Sequence, residues 1–297
     1  MSRIKRNNTR ARAPKGLPGV VVAHFGVAVD VDVGGTVASV RLSRNSGIVV
    51  GDDVLVDGDS IELLPRRTEL KRRSPSGGIH VVAANIDVLG IVAAVDPPAR
   101  AGLVDRAAVA ARAAGITPLL ILNKSDLPGA ANVLQEQQAR VCGDFEVCAV
   151  SAVSGDGIDR LMAHFASRGR VALIGPSGVG KSSLTNRLVP DSTQRVRALS
   201  EATGAGVHTT TGAMLFRLPG GGELVDTPGI REYGLVDVSR TELAAYFPGF
   251  AAVENACRFR DCIHAEEPGC AVRAAVESGT VPGTRYAAYR TLLSELA

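Results

Sequence analysis

Hydrophobic residues recur in the first quarter of the chain as short runs interrupted by glycine or polar residues. These runs are rich in valine and occupy residues 20–25, 27–33, 36–42 and 48–56. Runs of β-branched residues with turn residues between them are typical of short β-strands. The pattern predicts a small β-barrel over residues 18–78, in which residues 74–78 form a flexible linker.

From residue 79 the pattern changes to long apolar runs that alternate with helical segments. Residues 81–95 are almost continuously apolar, which is typical of a strand buried on both faces of a parallel sheet. Further strands are predicted at residues 117–122, 146–150, 170–174, 213–218 and 223–225. Helices are predicted at residues 105–114, 158–165, 183–188, 241–247 and 286–296. The pattern therefore predicts an α/β domain over residues 79–234 and a small helical domain over residues 235–297.

Composition narrows the class of protein. With 297 residues and 45% hydrophobic content, the chain can bury the cores of two or three domains. Its longest apolar stretches fall short of the roughly 18 residues that a spanning helix needs, so no membrane segment is expected. The N-terminus lacks the apolar region of a secretory signal, and we expect a cytoplasmic protein. Five cysteines, an odd number, then indicate thiols or metal ligands rather than disulfides.

Charge is distributed unevenly, although the net charge is only +3. Residues 1–17 carry six cationic side chains and no acidic one, and a second basic cluster lies within residues 66–73. The first segment is interpreted as a disordered basic arm suited to phosphate backbones, with a merely solubilising tail as the alternative. An OB-type barrel is one candidate for the β-module, and such barrels commonly bind single-stranded nucleic acid.

A phosphate-loop motif of the form G-x-x-x-x-G-K-S/T lies between a predicted strand and a predicted helix. Its residues are Gly175, Pro176, Ser177, Gly178, Val179, Gly180, Lys181 and Ser182. Glycines let successive N–H groups face an anion, and the helix adds its positive N-terminal end. We expect Lys181 to reach the β and γ phosphates and Ser182 to ligate Mg²⁺. The next residue, Ser183, is included in the predicted nucleotide site.

A second motif predicts that the base is guanine. Asn123, Lys124, Ser125 and Asp126 follow the predicted strand at residues 117–122. The Asp126 carboxylate can accept hydrogen bonds from N1–H and the exocyclic amine of guanine, a pairing that adenine does not offer. Lys124 is expected along the ring, and Asn123 is expected to tie this loop to the phosphate loop. The alternative is a polar turn between a strand and a helix.

Two further segments have the features of nucleotide switches. Residues 200–212 are polar and include His208, Thr209 and Thr210, either threonine being a candidate Mg²⁺ ligand. Asp226 and Gly229 form a D-x-x-G motif at the end of a strand, where Asp226 would hold Mg²⁺ through water and the Gly229 N–H would sense the γ-phosphate. The next residue, Ile230, cannot orient a water, so His208 is the candidate catalytic residue. A solvent-facing loop histidine is the alternative.

Three cysteines and a histidine lie close together near the C-terminus. They are Cys257, Cys262, His264 and Cys270. Soft ligands in this number predict one structural Zn²⁺ per chain, and the helices on either side predict a helical zinc-binding domain. Incidental buried cysteines are the alternative. Cys142 and Cys148 are expected to be packing residues.

The order of these motifs is rotated relative to ordinary GTPases, because the guanine loop precedes the phosphate loop. The chain therefore resembles a circularly permuted GTPase, and the loop at Ser151 and Ala152 resembles the GTPase loop that contacts the guanine carbonyl. With the barrel in front and the cysteine cluster behind, it is similar to the ribosome small subunit-dependent GTPase A family (RsgA or YjeQ). One departure is Val207, which stands where a basic residue often precedes the histidine.

The resemblance implies a GTPase that binds the 30S subunit and its 16S rRNA late in maturation and hydrolyses GTP slowly until the subunit stimulates it. It also implies GTP and GDP as ligands, Mg²⁺ with GTP, and a monomer. Two alternatives stay open at this point. One is a permuted GTPase that acts on the large subunit, and the other is an rRNA-binding scaffold whose GTP site is nearly inactive.

Overall fold

The computed structural model describes residues 16–43, 45–74, 77–141, 144–190, 213–226, 234–247 and 249–296. Within these ranges the strands are β1 (Leu17–His24), β2 (Ala28–Val33), β3 (Thr36–Arg41), β4 (Asp53–Asp57), β5 (Ser60–Leu63), β6 (Glu69–Arg73), β7 (Ile79–Ala84), β8 (Val88–Ala94), β9 (Thr117–Asn123), β10 (Val147–Ala149), β11 (Arg170–Ile174), β12 (Met214–Arg217) and β13 (Glu223–Asp226). The helices are α1 (Leu103–Ala113), α2 (Ala130–Val141), α3 (Ile158–Ala166), α4 (Lys181–Leu188), α5 (Ala271–Glu277) and α6 (Gly283–Glu295). None of these helices has both the length and the apolar character needed to cross a membrane.

Six strands form the sheet of the α/β domain in the order β10-β9-β8-β11-β13-β12. The first five are parallel, and β12 is antiparallel to β13. From β8 the chain runs outward to β10 and then returns to β11 on the other side of β8. The order therefore reverses between β8 and β11. In open α/β sheets, ligands bind at the carboxyl ends of the strands beside such a reversal.

The N-terminal strands β1 to β5 are antiparallel and OB-like. The strand β1 pairs with β2 and β4, while β3 pairs with β2 and β5 pairs with β4. Buried valines such as Val21, Val29 and Val54 fill the interior. The strand β1 also pairs with β12 through Ala23 and Met214, which joins both domains in one eleven-stranded sheet. The expected α/β class with an OB-like N-terminal part is confirmed.

The single strand predicted over residues 81–95 is wrong. Two strands, β7 and β8, occupy this run, and Asn85 lies between them with φ 56°. Its buried side chain donates to Gly51 O at 2.9 Å and accepts from the Arg67 N–H at 2.8 Å. The hydrogen bonds of Asn85 therefore end β7, which pairs with β6 in a two-stranded sheet, and the chain then continues into β8 of the large sheet.

The segment expected to be a flexible linker lies between paired strands, since β6 and β7 form an antiparallel pair across residues 74–78. The domain boundary predicted there stays a prediction.

Other differences between prediction and structure concern helices whose hydrophobic patterns are weak. The helix α2 was not predicted, because only Ala130 and Val141 at its ends are buried. The helix expected at residues 241–247 is a short 3-10 turn, Leu243–Tyr246, and α5 was not predicted.

The C-terminal helical region packs against α1 of the α/β domain. Val109 of α1 lies in the same core as Phe250, Tyr289 and Leu292. Arg112 of α1 donates to Tyr246 O at 3.1 Å. The α/β and C-terminal regions are therefore joined by a mixed apolar and hydrogen-bonded contact.

Arg170, the first residue of β11, connects the α/β sheet to the N-terminal region. Its side chain is buried, its Nε donates to Glu223 at 2.8 Å, and its Nη1 donates to Gly51 O at 2.5 Å. Gly51 has φ 89°, and a Cβ there would lie 2.3 Å from Ala84 O, so only glycine permits this approach. A buried guanidinium therefore spans the two regions with its charge compensated.

We expect Arg170→Met to lower the free energy of unfolding by about 2–4 kcal/mol, because Glu223 loses its partner and Gly51 O loses a donor. The measurement is urea denaturation followed by circular dichroism. The control is Arg168→Met, since Arg168 is exposed and has no ion pair within the described ranges. Its effect should stay within about 0.5 kcal/mol. Equal losses in the two variants would show that the Arg170 contacts do not stabilise the fold.

Candidate nucleotide and metal sites

The phosphate loop, residues 175–182, runs from the end of β11 into α4 and is shaped by two close approaches. Gly175 has φ 150°, and a Cβ there would lie 2.3 Å from Val92 O in β8. Gly180 precedes α4 with φ 90°, and its Cβ would lie 2.3 Å from Asn123 Nδ2. Only glycine allows the loop to lie this close to β8 and β9. The first N–H groups of α4 are left to bind an anion.

Lys181 lies folded over the phosphate loop. Its Nζ donates to Gly175 O at 2.6 Å and to Pro176 O at 2.7 Å. Burial raises the pKa of Asp226, at the end of β13, and the nearby positive charge of Lys181 opposes that shift. Ser177, Gly178, Ser182 and Ser183 are exposed, while Val179 is buried. The structure therefore brings Lys181 and Asp226 to the same edge of the sheet.

Asn123 bridges three loops at this edge. It is 2% exposed, and its Nδ2 donates to Val179 O in the phosphate loop at 2.9 Å. Its Oδ1 accepts from the Ala152 N–H at 3.1 Å. The contact that the sequence suggested between Asn123 and the phosphate loop is present. A single buried amide thus fixes the spacing between the predicted guanine loop and the predicted phosphate site.

The rest of the guanine motif follows Asn123 at the end of β9. Lys124 has φ 62°, and its Nζ donates to Asp96 O at 2.6 Å. The Ser125 N–H donates to Val150 O at 3.0 Å, which holds the loop against the end of β10. Asp126 is exposed, and its carboxylate accepts no hydrogen bond from the part of the chain that the structure describes. Its acceptor atoms are therefore free to meet a ligand.

The loop after β10 is shaped by Ser151. Its buried Oγ accepts from the Val153 N–H at 3.2 Å and the Ser154 N–H at 3.0 Å. The neighbouring Ala152 N–H, which the resemblance assigns to the guanine carbonyl, is donated here to Asn123 Oδ1. The Ser151 side chain therefore shapes this loop from its buried side, through hydrogen bonds to the loop backbone, and is not itself exposed to a ligand.

One neighbour of the site was missed by sequence reasoning. Asp96 and Pro97 follow β8 and flank the phosphate loop, where Pro97 lies 3.3 Å from the Cβ position of Gly178. The sequence feature that could have indicated them is their position directly after a buried apolar strand. Their proximity to the phosphate loop depends on the pairing of β8 with β11, which the strand pattern does not specify.

Four predicted residues, His208, Thr209, Thr210 and Gly229, lie outside the described residues.

The four predicted metal ligands lie together in the C-terminal region. The donor atoms of Cys257, Cys262, His264 and Cys270 lie within 4.8 Å of one another. His264 Nδ1 is 3.6 Å from Cys257 Sγ and 3.5 Å from Cys270 Sγ. Bond lengths for tetrahedral zinc give an N-to-S edge of about 3.6 Å. The donor set and its spacing therefore fit one tetrahedral metal ion.

Residues around this cluster hold its loop in place. The Glu267 carboxylate accepts from the Ile263 N–H at 2.9 Å and the Ala265 N–H at 2.8 Å, on either side of His264. The Tyr286 hydroxyl donates to His264 O at 2.7 Å. Burial lowers the pKa of His264, so the imidazole stays neutral and can bind a metal. These hydrogen bonds fix the orientation of the histidine in the folded region.

The family of the chain follows from comparisons with known proteins. The family model described as RsgA GTPase matches residues 63–236, which is more than half of the chain. The chain belongs to the RsgA GTPase family. A relative from Pseudomonas fluorescens (strain SBW25) is 44% identical over 94% of this chain and 85% of its own length, and one from Azotobacter vinelandii is 45% identical over the same shares. Both are described as small ribosomal subunit biogenesis GTPase RsgA.

Two solved structures show the same fold as this RsgA-family chain. The crystal structure of YjeQ from Thermotoga maritima aligns with TM-score 0.76 and 29% identity over 94% of this chain and 98% of that one. YloQ, described as a circularly permuted GTPase, aligns with TM-score 0.70 and 25% identity over 94% of each chain. The chain is thus a circularly permuted, GTP-hydrolysing enzyme.

We expect Asn123→Ala to weaken GTP binding by about tenfold or more. The variant leaves Val179 O and the Ala152 N–H without partners, and each unpaired buried group costs about 1–3 kcal/mol. Titration of a fluorescent GTP analogue measures the affinity. The matched control is Asn132→Ala on the exposed face of α2, which should leave the affinity unchanged. If Asn123→Ala bound GTP as tightly as the control does, the bridge would not organise the site.

Proposed function

We propose that this RsgA-family GTPase binds the 30S ribosomal subunit, contacts its 16S rRNA, and hydrolyses GTP during late maturation of that subunit. The observation that carries the proposal is the site organised by Asn123, together with relatives at 43–45% identity that are named for small-subunit biogenesis. The basic segment at residues 1–17 suits a phosphate backbone, as do the exposed Arg72 and Arg73. The other cations of the second cluster, Arg66, Arg67 and Lys71, form ion pairs with Asp52, Asp87 and Asp237. The protein acts in this proposal as a cytoplasmic monomer.

The residues predicted to bind the phosphates, Mg²⁺ and the attacking water have separate roles in this proposal. The phosphate-loop N–H groups and Lys181 bind the β and γ phosphates, after Lys181 leaves the carbonyl groups of Gly175 and Pro176. Ser182 would hold Mg²⁺ directly and Asp226 would hold it through water, with Thr209 or Thr210 as a further ligand and the Gly229 N–H on the γ-phosphate. The metal would supply positive charge that offsets the charge of the phosphate oxygens. His208 positions the attacking water, because Ile230 cannot do so.

The assignment of the base to guanine predicts a change of nucleotide preference in Asp126→Asn. The amide can pair with xanthine, whose C2 carbonyl replaces the amine of guanine, so affinity should move from GTP towards XTP. Competition between the two nucleotides for a fluorescent analogue measures the ratio. The control is Asp156→Asn, since Asp156 lies in the neighbouring loop and accepts from Ser154 Oγ. An unchanged ratio of GTP to XTP affinity in Asp126→Asn would remove this loop from base recognition.

We further propose that the metal held by Cys257, Cys262, His264 and Cys270 is zinc and that it is structural. Four protein ligands leave no open position for chemistry. A structural zinc contributes on the order of 10 kcal/mol of apparent binding free energy, so the C-terminal fold should depend on it.

Metal analysis of the purified chain should therefore give one zinc ion per chain. Cys270→Ser should reduce the zinc content well below one and expose the C-terminal region to protease, because a ligand is lost. Cys148→Ala is the control, since Cys148 lies in β10 and outside the cluster. A chain without metal that resists protease through residue 270 would contradict the proposal.

Sucrose-gradient sedimentation with isolated ribosomal subunits tests the partner. With a non-hydrolysable GTP analogue the protein should sediment with 30S particles and not with 50S particles. Binding should be weaker with GDP, by about 5- to 150-fold, if binding is coupled to the nucleotide with typical energies. Sedimentation with 50S particles would favour the large-subunit alternative. Turnover that 30S particles do not raise would favour the scaffold alternative.

A further inference from the structure

The loop between the first two proposed zinc ligands exposes an aromatic ring between two arginines. Phe259 is 41% exposed, whereas every other phenylalanine or tyrosine within the described ranges is buried or half-buried. Arg258 and Arg260 on either side of it are exposed. Aromatic rings are usually buried because burial removes apolar surface from water, and this ring keeps part of its surface exposed. A ring presented in this way is suited to contact with a partner.

The loop is held in a fixed position. It begins at Cys257 and ends at Cys262, two of the proposed metal ligands. The Arg258 N–H donates to Gly269 O at 3.1 Å, and the Arg258 side chain packs on Gly269, whose Cβ position lies 3.1 Å from Arg258 Cβ. Phe259 therefore stands on a support that is already ordered. Binding through it costs little conformational entropy.

The charges beside the ring are uncompensated. Neither Arg258 nor Arg260 forms an ion pair within the described ranges, and Asp261 is the one acidic residue in the loop. The Arg258 guanidinium carbon lies 5.5 Å from the centroid of the Phe259 ring. An aromatic ring with adjacent arginines is the chemistry by which proteins hold unpaired bases and their phosphates.

We propose that Phe259 stacks on an unpaired RNA base while Arg258 and Arg260 contact the flanking phosphates. This inference rests on the proposed function, in which the partner contains RNA. An acidic peptide would engage the two arginines and leave the ring in water. An apolar protein surface would cover the ring but would also remove water from two unpaired charges, which is costly. A stacked nucleotide uses all three side chains.

The test uses the full-length, metal-loaded chain and a single-stranded RNA that contains 2-aminopurine, whose emission changes when the base stacks. Wild type should change the emission and bind the strand. Phe259→Leu should abolish the change and weaken binding about 5- to 150-fold, since stacking on an aromatic ring is worth about 1–3 kcal/mol per base. Phe259→Tyr should restore both. Zinc content measured for each variant shows that the loop is intact.

The arginines are tested by salt dependence. Arg258→Gln and Arg260→Gln should each reduce the slope of log affinity against log salt by about 0.7, as expected for one phosphate contact on a single strand. The matched control is Arg168→Gln, since Arg168 is exposed and lies two residues beyond α3, and it should leave the slope unchanged. Slopes in Arg258→Gln and Arg260→Gln equal to that of the control would overturn the phosphate contacts.

Further outcomes separate this inference from the proposed function. Equal RNA affinity and equal emission change in wild type and Phe259→Leu would overturn the stacking, and wild-type sedimentation with 30S particles would then leave the proposed function standing. Failure of wild type to sediment with 30S particles, with stacking still lost in Phe259→Leu, would overturn the proposed function and support the RNA site. Binding of polyglutamate but not of RNA, lost in Arg258→Gln and Arg260→Gln and kept in Phe259→Leu, would indicate an acidic peptide and overturn the inference.

Discussion

The parallel pairing of β8 with β11 is the interaction on which the nucleotide site depends. These strands lie far apart in the chain, with β9, β10 and three helices between them, yet Ala172 and Leu89 are partners in the ladder. The pairing aligns the carboxyl ends of β8, β9, β10, β11 and β13 at one edge. The loops that follow these strands therefore surround one crevice, although the guanine motif precedes the phosphate loop in the sequence. Rotation of the motif order leaves the site intact because sheet order, not chain order, sets loop proximity.

Within that crevice the spacing of the loops rests on a buried polar group. Asn123 is paired through both its amide nitrogen and its carbonyl oxygen, to the phosphate loop on one side and the Ser151 loop on the other. A buried polar network of this kind is stable only when each member is satisfied, and it then fixes a single geometry. The close approach of Gly180 to the same amide shows why glycine is needed there. The spacing of the loops therefore requires both the asparagine at position 123 and the glycine at position 180.

The N-terminal and C-terminal regions contact the α/β domain at different elements. The strand β1 pairs with β12, and the His24 N–H donates to Ala213 O at 3.3 Å, directly after the predicted switch at residues 200–212. Arg170 adds a buried contact from β11 to the same N-terminal region. The C-terminal region instead contacts α1 through Arg112 and the core around Val109. The two flanking regions thus meet the α/β domain at separate elements.

The sequence by itself determined the chemistry of the individual loops. The phosphate loop, the guanine motif and the cysteine-histidine set were each found because their residues are close in the chain, where backbone spacing decides which side chains can meet. The order of the motifs, together with the barrel-like pattern and the cysteine cluster, also led to the family. The apolar runs at residues 117–122 and 170–174 predicted β9 and β11 to within one residue. The helix α2 was missed because its buried positions lie only at its ends, and the run over residues 81–95 hid the break at Asn85.

Only the tertiary structure decided which distant segments meet. The pairing of β1 with β12, the place of Asp96 and Pro97 beside the phosphate loop, and the contacts of Arg170 join residues that are about 50 to 190 positions apart. Hydrophobic periodicity shows that a segment has a buried face but not what covers it, because many partners can bury the same apolar surface. The hydrogen-bond partners of Arg170 and the need for glycine at position 51 follow from that global packing, whereas local motifs had already indicated Gly175 and the contact of Asn123 with the phosphate loop.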